Sequence, residues 1–121
     1  MSRTFEFKDP GRVELIQQLE DTAKRQQSGL WSAVAKKLGR SRRKRSEVNL
    51  SKINKYTLKG DVVIVPGKVL GDGNIEHQVD VAAYRFTQSA EKKIAEAGGR
   101  VLKIIELAKT NPKGSKIKIL G

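Results

Sequence analysis

Apolar residues along this chain keep a helical period at first and change to a strand period past the middle. Val13, Ile16, Leu19 and Ala23 recur at helical spacing, and Asp9-Pro10 offers an N-cap and a first-turn proline, so a first amphipathic helix is predicted through about Gln27. Ser28-Gly29 interrupts it. Ser28 can cap a second helix, whose stripe of Leu30, Trp31, Val34, Ala35 and Leu38 ends at Gly39. Together the two predict a helical hairpin with Trp31 in its core.

Beyond Gly39 the period is lost and then changes. Arg40-Ser-Arg-Arg-Lys-Arg45 has nothing apolar to bury, so by itself it is a solvated connector. Val48-Asn-Leu50 is a short strand candidate, Ser51 to Tyr56 a helical turn or two, and Gly60-Asp61 a turn. The β-branched run Val62-Val-Ile-Val65 is the mark of a strand buried on both faces, ended or bulged by Pro66-Gly67. Lys68-Val-Leu70 stays extended, Gly71-Asp-Gly73-Asn74 tolerates positive φ, and Gln78 to Thr87 alternates with Val79, Val81 and Ala83 on one side. These features predict a hairpin-like strand pair joined by a glycine-rich turn.

The last third alternates short strands and short helices. Ser89 can cap a third helix, with Ala90, Ile94 and Ala97 inward and Gly98-Gly99 closing it. Val101–Ile105 reads as a strand, Glu106–Lys109 as a short helix stopped by Asn111-Pro112, and Ile117–Leu120 as a final strand. Segments this short cannot each close a core, so they must stack into one α+β unit.

Charge changes the picture from fold to partner. The 121 residues carry 25 Lys and Arg against 13 Asp and Glu, a net +12. Such a charge repels itself in a compact fold unless an anion neutralises it. Residues 1–60 hold 15 basic and 6 acidic residues, net +9, and residues 61–121 hold 10 and 7, net +3, so the main footprint is expected in the N-terminal half. There is no Cys, which excludes disulfides, thiolate zinc sites and cysteine nucleophiles. No apolar run reaches the roughly 18 residues of a membrane helix, and Met1-Ser2-Arg3-Thr4 is polar, so a cytoplasmic protein is expected.

With these residues placed, a resemblance emerges. Gly60-Asp-Val-Val-Ile-Val-Pro-Gly-Lys-Val-Leu-Gly-Asp-Gly73, then Val81-Ala-Ala-Tyr-Arg-Phe86, Ser89-Ala-Glu-Lys-Lys-Ile94 and Ala97-Gly-Gly99 resemble the large-subunit ribosomal protein eighteen-e family, shared by archaea and eukaryotes and similar to bacterial large-subunit protein fifteen. The likeness extends over the N-terminal helices, the Arg40–Arg45 run with Val48-Asn-Leu-Ser-Lys52, and Asn111-Pro-Lys-Gly114. The short length, without long basic extensions, resembles archaeal members. The resemblance implies an α+β fold in which a helical N-terminal region precedes irregular strand-strand-helix turns forming one compact unit. Residues 1–46 would be helical hairpin and basic connector, and 47–121 the core domain. It also implies a non-catalytic role: binding large-subunit ribosomal RNA beside neighbouring ribosomal proteins, with no membrane, cofactor, metal or small-molecule substrate.

The residues themselves nominate the contacts. Arg40, Arg42, Arg43, Lys44 and Arg45 place five charges along roughly 20 Å of extended chain, and the guanidinium fork suits phosphate oxygens and exposed bases. Lys24 and Arg25 at the end of the first helix, and Lys36 and Lys37 opposite the second stripe, extend the basic face, their plainer role being contact with helix dipoles. Lys52, Lys55, Gly67, Lys68 and Arg85 complete the candidate set. Tyr84 and Phe86 are predicted to share one strand face, with core burial a more ordinary use than base stacking.

Other chemistry fits poorly. Around Pro66-Gly67-Lys68 the phosphate-loop spacing fails, with Val62 at the first glycine position and Val69 at the hydroxyl position, and Glu76 stands at the third glycine of a dinucleotide motif. A small basic ribonuclease built on His77 with Lys68 and Glu76 has one histidine and no visible second base. A general architectural nucleic-acid-binding protein is served equally well by the charge. Ser28, Ser89 and Ser115 sit at turns or helix starts, where hydroxyls cap amides rather than attack substrates.

Overall fold

The structure is a computed structural model and describes residues 10–39 and 46–121. Helix α1 spans Pro10–Gln26 and α2 Gly29–Leu38, followed by β1 (Ser46–Asn49), α3 (Leu50–Tyr56), β2 (Asp61–Leu70), β3 (Val79–Phe86), α4 (Gln88–Glu96), β4 (Val101–Lys103), α5 (Ile104–Thr110) and β5 (Ile117–Ile119). Asp9 and the Arg40–Arg45 run lie outside the described residues.

The strands form one sheet in the order β1-β2-β3-β4, with β5 also pairing β2, and every pairing is parallel. β1 and β5 share one edge of β2: β5 meets its first half at Val62–Ile64, and β1 its second half at Gly67–Leu70. Side chains along β2 and β3 alternate between two apolar clusters. Val63, Val65, Val79, Val81 and Ala83 join Leu50 and Ile53 of α3 and Ala90 and Ile94 of α4 in one cluster. Ile64 and Ala82 join Leu19, Trp31, Val34, Ala35 and Leu38 of the N-terminal helices and Ile104 and Leu107 of α5 in the other. A fully buried strand explains the β-branched run: Val63, Ile64 and Val65 expose no surface, each worth about 1.5–3 kcal/mol of burial.

Parallel pairing corrects the hairpin expectation. Asp61 lies opposite Val79, so after Leu70 the chain must return along the whole of β2 before β3 begins. The eight residues 71–78 can span about 27 Å, close to the length of bulged β2, and no tight turn is involved. Contacts from far along the chain hold this crossing. Lys93 Nζ donates to the carbonyls of Gly71 (2.8 Å) and Gly73 (2.9 Å), and Ser51 N–H donates to Asp72 O. Asn54 exchanges two hydrogen bonds with Glu76, through the Glu76 N–H and carboxylate. Gly73, at φ +87, lies so close to Ser51 that an added Cβ would be 2.6 Å from the serine Cβ.

The remaining differences are local. The β2–β3 register shifts between Val65 and Lys68, so Pro66-Gly67 is a bulge inside a continuous strand. Helix α4 begins one residue before Ser89 because Thr87, not Ser89, is its cap: the Thr87 hydroxyl accepts from Ala90 N–H. Ser28 precedes α2 without capping it, and its hydroxyl instead donates to Lys113 O, tying the hairpin to the C-terminal segment. Strand β4 stops at Lys103, and the apolar Ile104 and Ile105 open α5, where the Glu106 carboxylate accepts from Lys103 N–H. Tyr84 packs with the second cluster and Phe86 with the first, so strict alternation ends beside the bulge and the two rings do not share a face.

Candidate nucleic-acid interface

Cations reach the surface on this frame by three routes. The first is the ends of helices. Lys24 and Arg25 lie exposed in the last turn of α1, and exposed Lys36 and half-buried Lys37 in the last turn of α2, where the unsatisfied carbonyls favour positive charge. Lys37 also reaches across to the C-terminal segment, its Nζ donating to Gly121 O at 2.9 Å.

The second route is the end of the sheet beyond the bulge. Lys68 on β2 and Arg85 on β3 occupy directly opposed positions, and Lys103 on β4 lies opposite Ala83. The three line one open groove with Tyr84 and Phe86, and the carboxylates of Glu91 and Glu106 belong to the same lining. Arg85 holds its guanidinium 5.1 Å from the Tyr84 ring centroid, an arrangement that orients the fork. Pairing of β3 with both neighbours sets this spacing. Gly67 is different: it is buried in β2 opposite Ser46, and its part lies in the bulge that brings Lys68 out rather than at the surface.

The third route is α3. Leu50 and Ile53 face the core, which turns Lys52 and Lys55 to solvent, and Lys55 Nζ lies 5.5 Å from the centroid of the Tyr56 ring.

Two salt bridges join described residues, Arg100 with Asp80 at 3.0 Å and Lys118 with Asp61 at 2.9 Å. Asp61 also accepts from Leu58 N–H at 2.8 Å, and that bond first, then Lys118, holds its carboxyl below the ordinary value of 3.8. Lys93 is committed to the crossing segment. Arg12 is fully buried and lies off the basic surface.

The catalytic candidates have structural occupations. Thr57, itself buried, donates its one hydroxyl hydrogen to Ile53 O at 2.6 Å, so the 2.8 Å contact with His77 Nε2 must be donated by the imidazole. Glu76 is bound to Asn54. Both side chains thus fasten the crossing segment to α3. Among the described residues no group of three or more His, Asp and Glu could hold a metal ion, and no helix is long and apolar enough to cross a membrane.

Sequence reasoning passed over Lys59, Lys92, Lys103, Lys109, Lys113 and Lys116, all exposed. Nothing local marks them, because which lysines share a surface depends on how the strands are ordered. It also passed over Tyr56, which a helical projection of Leu50 and Ile53 puts about 90° off the apolar stripe.

Comparison with known proteins gives a consistent family. The family described as "Ribosomal protein 60S L18 and 50S L18e" matches residues 8–121. The large ribosomal subunit protein eL18 of Methanococcus maripaludis is 46% identical over 113 residues, 93% of this chain and 94% of the relative. That of Methanoregula boonei is 44% identical over 120 residues, 99% of each chain. The Archaeoglobus fulgidus protein of the same name is 46% identical over 112 residues, 93% of this chain and 96% of the relative. With its parallel sheet, its helical N-terminal region and a match from residue 8 to its last residue, this chain belongs to the L18/L18e family of ribosomal proteins.

Proposed function

We propose that the chain is a non-catalytic structural constituent of the large ribosomal subunit that binds and stabilises ribosomal RNA in the cytoplasm, next to other ribosomal proteins. The observation that carries this reading is the excess of 12 positive charges along the chain, together with the exposed cations that β2, β3, β4 and the N-terminal helices carry among the described residues. Cations on three adjacent strands, at the ends of α1 and α2 and along α3 suit a polyanion of fixed shape, not a small substrate. Membership in a ribosomal protein family supports ribosomal RNA as that polyanion. Lys24, Arg25, Lys36, Lys37, Lys52, Lys55, Lys68 and Arg85 are the contacts proposed on the described surface, and Arg40, Arg42, Arg43, Lys44 and Arg45 those of the connector.

If about ten phosphates are neutralised, the log-log dependence of affinity on salt has a slope on the order of −7, taking the single-strand coefficient. The test compares large-subunit ribosomal RNA with duplex DNA at matched salt, together with co-sedimentation of the protein with large subunits. Tight, steeply salt-dependent RNA binding and retention on the subunit are expected. Tighter binding to the duplex would favour a general architectural protein, and RNA cleavage abolished in His77→Ala would favour a ribonuclease.

A further inference from the structure

Four of the six aromatic residues lie in the described regions, and they differ sharply in exposure. Trp31 is fully buried, and Tyr84 and Phe86 are partly buried against the two clusters. Tyr56 is 52% exposed, and Leu58, two residues on, is 73% exposed, the two large apolar side chains standing out among the described residues. Isolated apolar groups in water are ordinary. The setting of this pair is not.

Between Val48 and Gly60 the chain has three lysines, Lys52, Lys55 and Lys59, all exposed, and no carboxylate. Two carboxylates that adjoin it are occupied, Asp61 by Leu58 N–H and Lys118, and Glu76 by Asn54. The turn carrying the pair is braced from several elements. Lys118 on β5 donates to Tyr56 O at 3.3 Å, Asp61 N–H donates to Leu58 O, and Gly60 N–H donates to Gln78 O. Thr57, between the two apolar residues, is buried and bonded to both Ile53 and His77. An aromatic ring held on so fixed a turn is preorganised, so binding there does not have to order the backbone.

We propose that Tyr56, with Leu58 beside it, is a stacking platform for an unpaired RNA base, and that Lys52, Lys55 and Lys59 hold the phosphates on either side. This deepens the RNA-binding reading and rests on it. The flat ring gives the base its π-face contact, Leu58 covers the edge, and the three exposed lysines select a polyanion. An acidic protein would also satisfy the charge, but it would not call for a rigid aromatic ring between lysines.

The experiment measures binding to large-subunit ribosomal RNA and chemical reactivity of its bases with wild-type protein, Tyr56→Ala, Tyr56→Phe and the triple variant of Lys52, Lys55 and Lys59 to Ala. Tyr56→Ala is expected to weaken binding roughly 5- to 150-fold with the salt slope unchanged, since one stacked base is lost and no phosphate contact is. A base protected by the wild type becomes reactive with Tyr56→Ala and stays protected with Tyr56→Phe. The triple lysine variant flattens the salt slope by about 2. Melting of each variant alone establishes that it is folded. RNA affinity and base protection unchanged in a folded Tyr56→Ala overturn the platform while leaving RNA binding intact; if that variant instead loses binding to a neighbouring large-subunit protein, the patch is a protein contact. Wild-type protein that does not bind the RNA overturns both readings.

Discussion

Gly99 gives a sharp test of how the sheet end is assembled. It joins α4 to β4, its N–H donates to Ile94 O at 3.0 Å, and an added Cβ would stand 2.0 Å from Val79 O and 3.0 Å from Val79 C. The obstacle is backbone, so no rotamer change relieves it. To restore van der Waals contact the start of β3 and the start of β4 must separate by more than 1 Å, given that contact distances are about 3.4 Å or more. The hydrogen bond from Val81 N–H to Arg100 O (2.9 Å) and the Asp80–Arg100 pair lie in the next residues and would be stretched. Overpacking costs about 1–3 kcal/mol and a weakened backbone hydrogen bond about 0.5–1.5 kcal/mol, so Gly99→Ala is expected to destabilise by about 2–4 kcal/mol. For a chain of this length that is a fall in melting temperature on the order of 10–15 °C, read by circular dichroism. Gly29→Ala is the matched control: nothing lies within 4 Å of its added Cβ and it sits in the first turn of α2, so it should be neutral or stabilising by up to about 1 kcal/mol. The reasoning fails if Gly99→Ala melts within about 1 °C of wild type, because the close approach of the two strands would then not be what holds β4 in place.

Other outcomes follow from single contacts. Lys93→Met removes the donor to Gly71 O and Gly73 O and should cost about 1–2 kcal/mol, measured as a lowered urea midpoint with unchanged slope. Because folding holds the Asp61 carboxyl below its ordinary value, the stability it contributes is present above that value and lost as pH falls through the folded one; the difference in stability between wild type and Asp61→Asn should therefore be present at neutral pH and shrink on acidification below 3.8. Replacing Arg42, Arg43 and Arg45 with Ala should weaken RNA binding and flatten its salt slope by about 2, with thermal unfolding of the free protein nearly unchanged. A large fall in melting temperature for that variant would show that the run is folded structure.

These tests bear on function because the basic surface is only as well defined as the strands carrying it. Lys68, Arg85 and Lys103 come from three strands that are remote in sequence, and their separation is fixed by β2–β3 and β3–β4 pairing. Thr87 caps α4 at the end of β3, and Lys93 of the same helix secures the crossing segment that makes β3 parallel to β2. A defect in the crossing should thus disturb the cationic groove even though no groove residue is altered.

The chain alone determined where most elements lie and that the surface is strongly basic. Helical stripes, the buried β-branched run, an end or a bulge at Pro66-Gly67 and the charge excess are local or additive properties, legible without knowing what packs on what; the β2–β3 register decides for the bulge. Orientation was not legible, because Gly71-Asp-Gly73-Asn74 reads as a tight turn until Lys93, Ser51 and Asn54, each about 20 residues away, are seen to hold residues 71–76 as a crossing segment. The same reason explains the cap of α4: Thr87 and Ser89 both carry hydroxyls, and only the place where β3 ends decides between them. It also explains Tyr56, whose exposure depends on β5 and the crossing segment bracing a turn they adjoin only in space. Periodicity fixes which side of an element is apolar, whereas contacts between distant segments choose the neighbour, the direction and the side chains left in water.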